Sequence, residues 1–232
     1  TTNDSSGTDA DVTIDGGTTA LIIAASTIDG DLTLTSGHAS GITDSGTVTV
    51  GGNLAATTDD NNGVINMGTL AVDGTIALTT NGNGAATVVN DAGLAFAAST
   101  VTGALSATAT TGNITQSGVL TISGTTTLVT SANDATITLG SANVFTGALT
   151  ITTNDASGTD ADVTIDNGTT ALIIAASTID GDLTLTSGHA SGITDSGTVT
   201  VGGNLAATTD DNNGVIDMGT LAVDGTIALT TD

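Results

Sequence analysis

The sequence predicts an all-β chain wound as a three-sided parallel β-helix (a β-solenoid), with about 25 residues per coil and about nine coils in its 232 residues. Three observations predict it: repeats nested at several periods, short runs of alternating apolar residues between Gly, Asn and Asp corners, and an aliphatic composition without proline.

The longest repeat has an offset of 151 residues: Thr1-Thr2-Asn3-Asp4 recurs as Thr152-Thr153-Asn154-Asp155, and the copy runs to Asp232. Over the 81 aligned pairs there are four differences, Ser5/Ala156, Gly16/Asn167, Asn66/Asp217 and Asn81/Asp232. Residues 1–151 are therefore read as one full repeat and 152–232 as part of a second, in a single continuous solenoid. A shorter unit lies beneath. Ile42-Thr43-Asp44-Ser45-Gly46 recurs as Ile114-Thr115-Gln116-Ser117-Gly118 and as Ile193-Thr194-Asp195-Ser196-Gly197, at spacings of 72 and 79 residues. Each long repeat is expected to be a duplication of a unit of that size.

Individual coils are expected to start at Gly17, Gly46, Gly68, Gly93, Gly118, about Ser141, Gly168, Gly197 and Gly219, six coils to each 151 residues. One coil runs Gly46, Val48, Val50, Gly52, Leu54, Ala56, the polar loop 57–62, then Ile65 and Met67. Alternation of period two bounded by turn residues is the strand signal. In a solenoid each coil lies about 4.8 Å above the last, and alternate side chains fill a shared interior. Like should then stack on like, and Val48, Leu70, Leu120 and Val199 are expected to take equivalent places. Proline is absent because each sandwiched strand needs its N–H for the ladder.

Composition limits what else the chain can be. Every one of the 24 acidic residues is Asp, there is no Lys, Arg or Cys, and the formal net charge is −24. Only Phe96 and Phe145 are aromatic. A high charge with few large apolar residues points towards disorder, but 38% of the residues are apolar and only 10% charged. No apolar run is long enough to span a bilayer, so no membrane insertion is expected in this segment. Any leader or anchor is expected outside it, since both ends fall within a repeat. The charge also argues against nucleic acid as a partner.

The stretch Ile-Thr-Asp-Ser-Gly-Thr-Val-Thr-Val-Gly-Gly-Asn-Leu at 42–54, and Asn143-Val144-Phe145-Thr146-Gly147-Ala148-Leu149-Thr150-Ile151, resemble the coils of filamentous haemagglutinin-like adhesins. They also resemble those of the giant β-strand-repeat surface proteins of Gram-negative bacteria. The resemblance covers the whole chain as a style of repeat. It implies a right-handed helix, export by a two-partner or autotransporter-type route, and work outside the cell at its surface. A surface or glycan receptor would, in those families, be held by regions other than the repeats.

Candidate chemistry is sparse. His38 and its copy His189 each sit in a Ser-Gly-His-Ala-Ser corner without a second His or Cys close in sequence. The candidate Ca²⁺ ligands are Asp59 and Asp60 with their copies Asp210 and Asp211, and the pair Asp29 and Asp31; Asp160 and Asp162 form a similar pair. Carboxylate and amide oxygens in a loop are what Ca²⁺ prefers, whereas turn-forming Asp in water accounts for the same residues. Neither an EF-hand spacing nor a Gly-Gly-x-Gly-x-Asp nonapeptide occurs. Collectively, 24 charges on a rod of nine coils, roughly 45 Å long, approach the axial charge density of duplex DNA. Divalent counter-cations are therefore expected at the surface, with none required as a cofactor.

Neither an enzyme nor an ice-binder fits well. A carbohydrate lyase of this fold needs Arg or Lys against the sugar acid, a glycosidase needs two carboxylates in different environments, and a catalytic site copied every 151 residues is improbable. Thr-x-Thr triplets at Thr33, Thr47, Thr136 and Thr184 could suggest ice binding, but they fall at different points of their coils. Two readings remain: a secreted filament or sheath whose subunits associate end to end and laterally, and a rigid stalk carrying a distal adhesive domain.

Overall fold

The computed structural model describes residues 1–2, 10–154, 160–211 and 213–232. Among these, 29 strands and no helix form a parallel β-solenoid made of a 14-stranded and a 15-stranded sheet. The differing pair Ser5/Ala156 lies outside the described residues.

The winding can be followed along the 14-stranded sheet. Val12 pairs with Leu32, Leu32 with Leu54, Leu54 with Ile76 and Ile76 with Phe96. Leu94 then pairs with Ile114, Ile114 with Ile137 and Ile137 with Val163. The series closes with Val163 on Leu183, Leu183 on Leu205 and Leu205 on Ile227. These ten steps of 20 to 26 residues make about ten turns where the spacing of glycines led to nine, and seven rather than six separate Val12 from its copy Val163.

Most turns contribute one straight strand to one sheet and a split pair to the other. At the start, the straight strands Val12–Asp15, Leu32–Ser36 and Leu54–Asn61 lie in the 14-stranded sheet. The split pairs Leu21–Ile23 with Ser26–Ile28, and Ile42–Asp44 with Val48–Val50, lie in the other, where Ile65–Val72 runs over both halves of the second pair. The next turn has only two strands, Thr75–Asn81 and Ala86–Asn90, one in each sheet.

Above it the roles are exchanged. The 14-stranded sheet now takes the split pairs, beginning with Leu94–Phe96 and Ser99–Val101, while Leu105–Ala109, Thr126–Asn133 and Leu149–Asn154 run straight in the other. After Leu149–Asn154 the straight strand Val163–Asp166 restores the first arrangement. The Ile-Thr-Asp/Gln-Ser-Gly copies record the exchange: Ile42 and Ile193 are in the 15-stranded sheet and Ile114 in the 14-stranded one. Copies 72 and 79 residues apart are thus each about three and a half turns apart. Val48 does stack on Leu70, but Leu120, at the corresponding place in the next unit, belongs to the other sheet. The marker glycines counted too few turns because they do not all mark the same corner.

The two sheets enclose one continuous core of Leu, Ile, Val and Ala, joined by Met67, Phe96 and Phe145. Strict alternation puts residues such as Leu32, Leu34 and Ser36 inward and leaves Thr33 and Thr35 partly exposed. Fully burying an aliphatic side chain is worth about 1.5–3 kcal/mol, and repeating it at each layer makes neighbouring turns mutually dependent.

Candidate functional surface

Side-chain chemistry is concentrated at the corners, where the chain turns and the sheet ladders are interrupted. Before the straight strands a column of carboxylates and amides accepts N–H groups from the turn above. Asp11 Oδ1 accepts Asp31 N–H at 2.8 Å, Asp31 Oδ1 accepts the N–H of Asn53 at 2.6 Å and its side-chain amide at 3.1 Å. Asn53 Oδ1 accepts the N–H and hydroxyl of Thr75, both at 2.8 Å. The second repeat rebuilds the column through Asp162, Asp182, Asn204 and Thr226. At another corner Asp44 accepts the N–H groups of Gly68 and Thr69 and the Thr69 hydroxyl, and its copy Asp195 accepts the N–H groups of Gly219 and Thr220.

The candidate Ca²⁺ ligands lie apart from one another in role. Asp29 and Asp31 are exposed, and the carboxylate of Asp31 belongs to the column just described. Asp59 is exposed and Asp60 half-buried at the end of Leu54–Asn61, as Asp210 and Asp211 are after Leu205–Thr209. Their loops close through backbone bonds, Gly63 N–H to Asp60 C=O and Gly214 N–H to Asp211 C=O. Asn62 and Asn213 take the left-handed conformation there, while Asn212 lies outside the described residues. A shallow hollow of about 430 Å³ is lined by Asp166, Asp210 and Asp211. Among the described residues, however, no group of three His, Cys, Asp or Glu is close enough to hold one ion. Asp160 is exposed, and Asp162 is in the column.

The histidines close turns. Nδ1 of His38 accepts Ser40 N–H at 3.0 Å while its carbonyl accepts Gly41 N–H at 2.7 Å, and His189 repeats both with Ser191 and Gly192.

Sequence reasoning missed the buried polar groups that manage the exchange of strand types. Where straight Ala86–Asn90 covers Ile65–Val72, the Asn90 amide stands in for a peptide: Oδ1 accepts Val72 N–H at 2.8 Å and Nδ2 donates to Val72 C=O at 3.0 Å. Asn167 does the same for Phe145, at 2.7 and 3.1 Å. Where a split pair covers a straight strand, a serine bridges the break. Ser99 Oγ accepts Leu78 N–H and Ser177 Oγ accepts Ile151 N–H, both at 3.0 Å, and each hydroxyl donates to the carbonyl two residues back. The available signal was a polar residue at an inward place of an alternating run, as in Ala86, Val88, Asn90.

A family model described as repeats of unknown function, DUF5649, matches residues 9–62, 83–152 and 160–216, well over half of the chain. The chain belongs to the DUF5649 family. Each DUF5649 match opens just before a straight strand that begins a new arrangement of the sheets, Val12–Asp15, Ala86–Asn90 or Val163–Asp166. No curated protein and no solved structure matches the chain.

Proposed function

We propose that this DUF5649 chain is the non-catalytic material of an extracellular filament or sheath, exported from a Gram-negative cell and built by association of solenoid rods. The observation that carries this reading is the corner column: its carboxylates and amides are engaged turn upon turn in stacking, copy for copy in both repeats. Such a surface serves continuity along an axis, as a structural rod requires. The right-handed winding follows the hand that parallel β crossovers adopt, and the straight strand with its split pair supplies three sides per turn.

Charge sets the condition for lateral packing. With a formal net charge of −24 and no Lys or Arg, rods repel one another unless cations gather between them. Ca²⁺ or Mg²⁺ is the counter-ion in this reading, held diffusely along the acidic corners. Bundling should weaken in EGTA and at low ionic strength; bundles indifferent to both would remove the cations from the proposal.

Electron cryo-microscopy of native material sheared from cells tests the whole reading. Continuous, laterally ordered fibres with an axial layer spacing of about 4.8 Å are expected. Separate rods ending in a distinct globular tip would make the chain a stalk instead, and binding would then belong to the tip.

A further inference from the structure

An asparagine followed by glycine can close a five-membered ring on itself, because glycine has no Cβ to keep its nitrogen away from the side-chain amide. The chain holds five such pairs: Asn62-Gly63, Asn81-Gly82, Asn83-Gly84, Asn167-Gly168 and Asn213-Gly214. Ring closure needs the glycine nitrogen stripped of its proton and set against Cγ of the asparagine. Where each glycine N–H points therefore decides which pair reacts.

In four of the pairs that N–H is committed elsewhere. Gly63 donates to Asp60 C=O at 3.2 Å, Gly84 to Asn81 C=O at 3.0 Å and Gly214 to Asp211 C=O at 2.9 Å. Gly168 donates to Asp166 Oδ1 at 2.8 Å. Two of these asparagines are also held by their own amides: Asn62 Oδ1 accepts Asn83 N–H at 2.9 Å, and buried Asn167 spans the backbone of Phe145. Asp-Gly pairs, which close the same ring, are held by the ladder. Gly30, Gly74 and Gly225 donate to Ala10, Gly52 and Gly203 C=O in the turn below.

The remaining pair differs. Gly82 N–H donates to Oδ1 of Asn81 itself, at 2.8 Å, which brings the nitrogen beside the carbon it would attack. Asn81, Gly82 and Asn83 are exposed in the turn that follows Thr75–Asn81, so water and hydroxide reach them. Gly82 has φ of 66°, a conformation that suits glycine and keeps this turn in place.

We propose that Asn81 is a self-modification site, converted by water into aspartate and isoaspartate through a cyclic imide with Gly82. Hydroxide takes the Gly82 N–H proton, and the nitrogen's electron pair forms a bond to Asn81 Cγ. The Cγ–Nδ2 bond then breaks, and Nδ2 leaves as ammonia with a proton from water. A water molecule opens the imide at either carbonyl. Breaking the new N–Cγ bond restores the original chain with a side-chain carboxylate. Breaking the bond to the main-chain carbonyl carbon leaves the chain running through Cγ, with that carbonyl turned into the carboxylate. One water replaces one ammonia, and nothing is oxidised or reduced.

Both products suit the fold. The second repeat has Asp232 where the first has Asn81, so the plain acid already occurs at this place in the repeat. The main-chain carbonyl of Asn81 accepts the N–H groups of Asn62 and Gly84, both at 3.0 Å. In the rearranged product the same oxygen belongs to a carboxylate and still accepts both. Asn81 lies over Asn61 in the ladder, one turn above the loop of Asp59 and Asp60. Each conversion therefore adds a negative charge to a corner that is already acidic, and the charge of the rod grows with its age whether or not rods assemble into filaments.

The test ages the full folded chain in mildly alkaline buffer and maps it with a protease that cuts before Asp. Residues 73–90 then hold Asn81 and Asn83, while Asn62, Asn167 and Asn213 fall in 60–72, 166–179 and 211–216. Conversion reads as the mass gain of an amide-to-acid exchange, and fragmentation separates Asn81 from Asn83. Asn81 should convert faster than each of the other four by roughly tenfold or more, the advantage of a positioned attacking group. Its rate should rise with pH in proportion to hydroxide. Unfolding in guanidinium should erase the lead, since all five pairs then lose their hydrogen bonds. Asn81→Gln, one methylene too long for the five-membered ring, should abolish the fast phase of ammonia release and leave the circular dichroism of the solenoid unchanged. A folded chain in which Asn81 has no lead, or a lead that survives unfolding, overturns the proposal.

Discussion

Asp31 and Asn53 do the same work with different head groups, since each offers one oxygen to the N–H of the turn above. Asp31→Asn keeps that oxygen and removes a charge, so the urea midpoint of unfolding should hold or rise. Asp31→Ala leaves Asn53 N–H without its acceptor and should cost about 1 kcal/mol. A specific Ca²⁺ site would give a different pattern, with Asp31→Asn as damaging as Asp31→Ala whenever Ca²⁺ is present. Thr126 makes the opposite case. It stands in the inward ladder between Leu105 and Leu149, and its hydroxyl is buried without a hydrogen-bond partner among the described residues. Thr126→Val should stabilise the chain by about 1 kcal/mol, read by thermal or urea unfolding. The sequence shows that Asp gathers at corners, a pattern that cation ligands share with turn-forming residues. The column itself could not be seen there, because its partners stand 20 and 22 residues apart and only the register brings them together.

At the scale of the strand, alternation and corner residues made the elements legible: Leu32–Ser36 could be read directly, whereas Leu54–Asn61 runs on through most of the expected polar loop 57–62, because its polar residues pair in the ladder as Thr57 does with Thr79 and Asn61 with Asn81. The exchange between straight and split strands could not, since the same sequence signs accompany both. What distinguishes them is Asn90, a polar residue at an inward place whose amide completes the backbone of Val72. Asn90→Ala should cost about 2–3 kcal/mol, because it strands the N–H and C=O of Val72 and removes the donor to Gly93 C=O. The equivalent truncation on a solvent-facing place, such as Thr108→Ala, should change stability by less than about 0.5 kcal/mol. Gly41 is a second fixed point. It has φ of 62° and any Cβ there would overlap the Val64 carbonyl, so Gly41→Ala should lower the unfolding midpoint far more than a substitution with open space around it, such as Gly68→Ala within Ile65–Val72.

Across the whole molecule, like charges repel along an axis that stacking contacts hold together. Added salt should raise the melting temperature, steeply between about 10 and 200 mM as the Debye length falls from about 30 Å towards 8 Å, and then level off. Melting indifferent to salt over that range would mean that the surface charge plays no part in stability. The repeat made a long, uniform, acidic rod legible from the sequence alone; the nine coils it led to fell one short, since the number of turns depends on how many residues each corner absorbs.

Alternating the two kinds of strand between the sheets also acts as cross-graining does in plywood. A patch facing one side of the rod at one level faces the other side three and a half turns later. Any sideways contact made by such a patch is therefore available on both flanks of every rod. Contacts of that valence do not close into pairs: they extend from rod to rod as a layer, and a chain with one adhesive patch per unit would tile a surface.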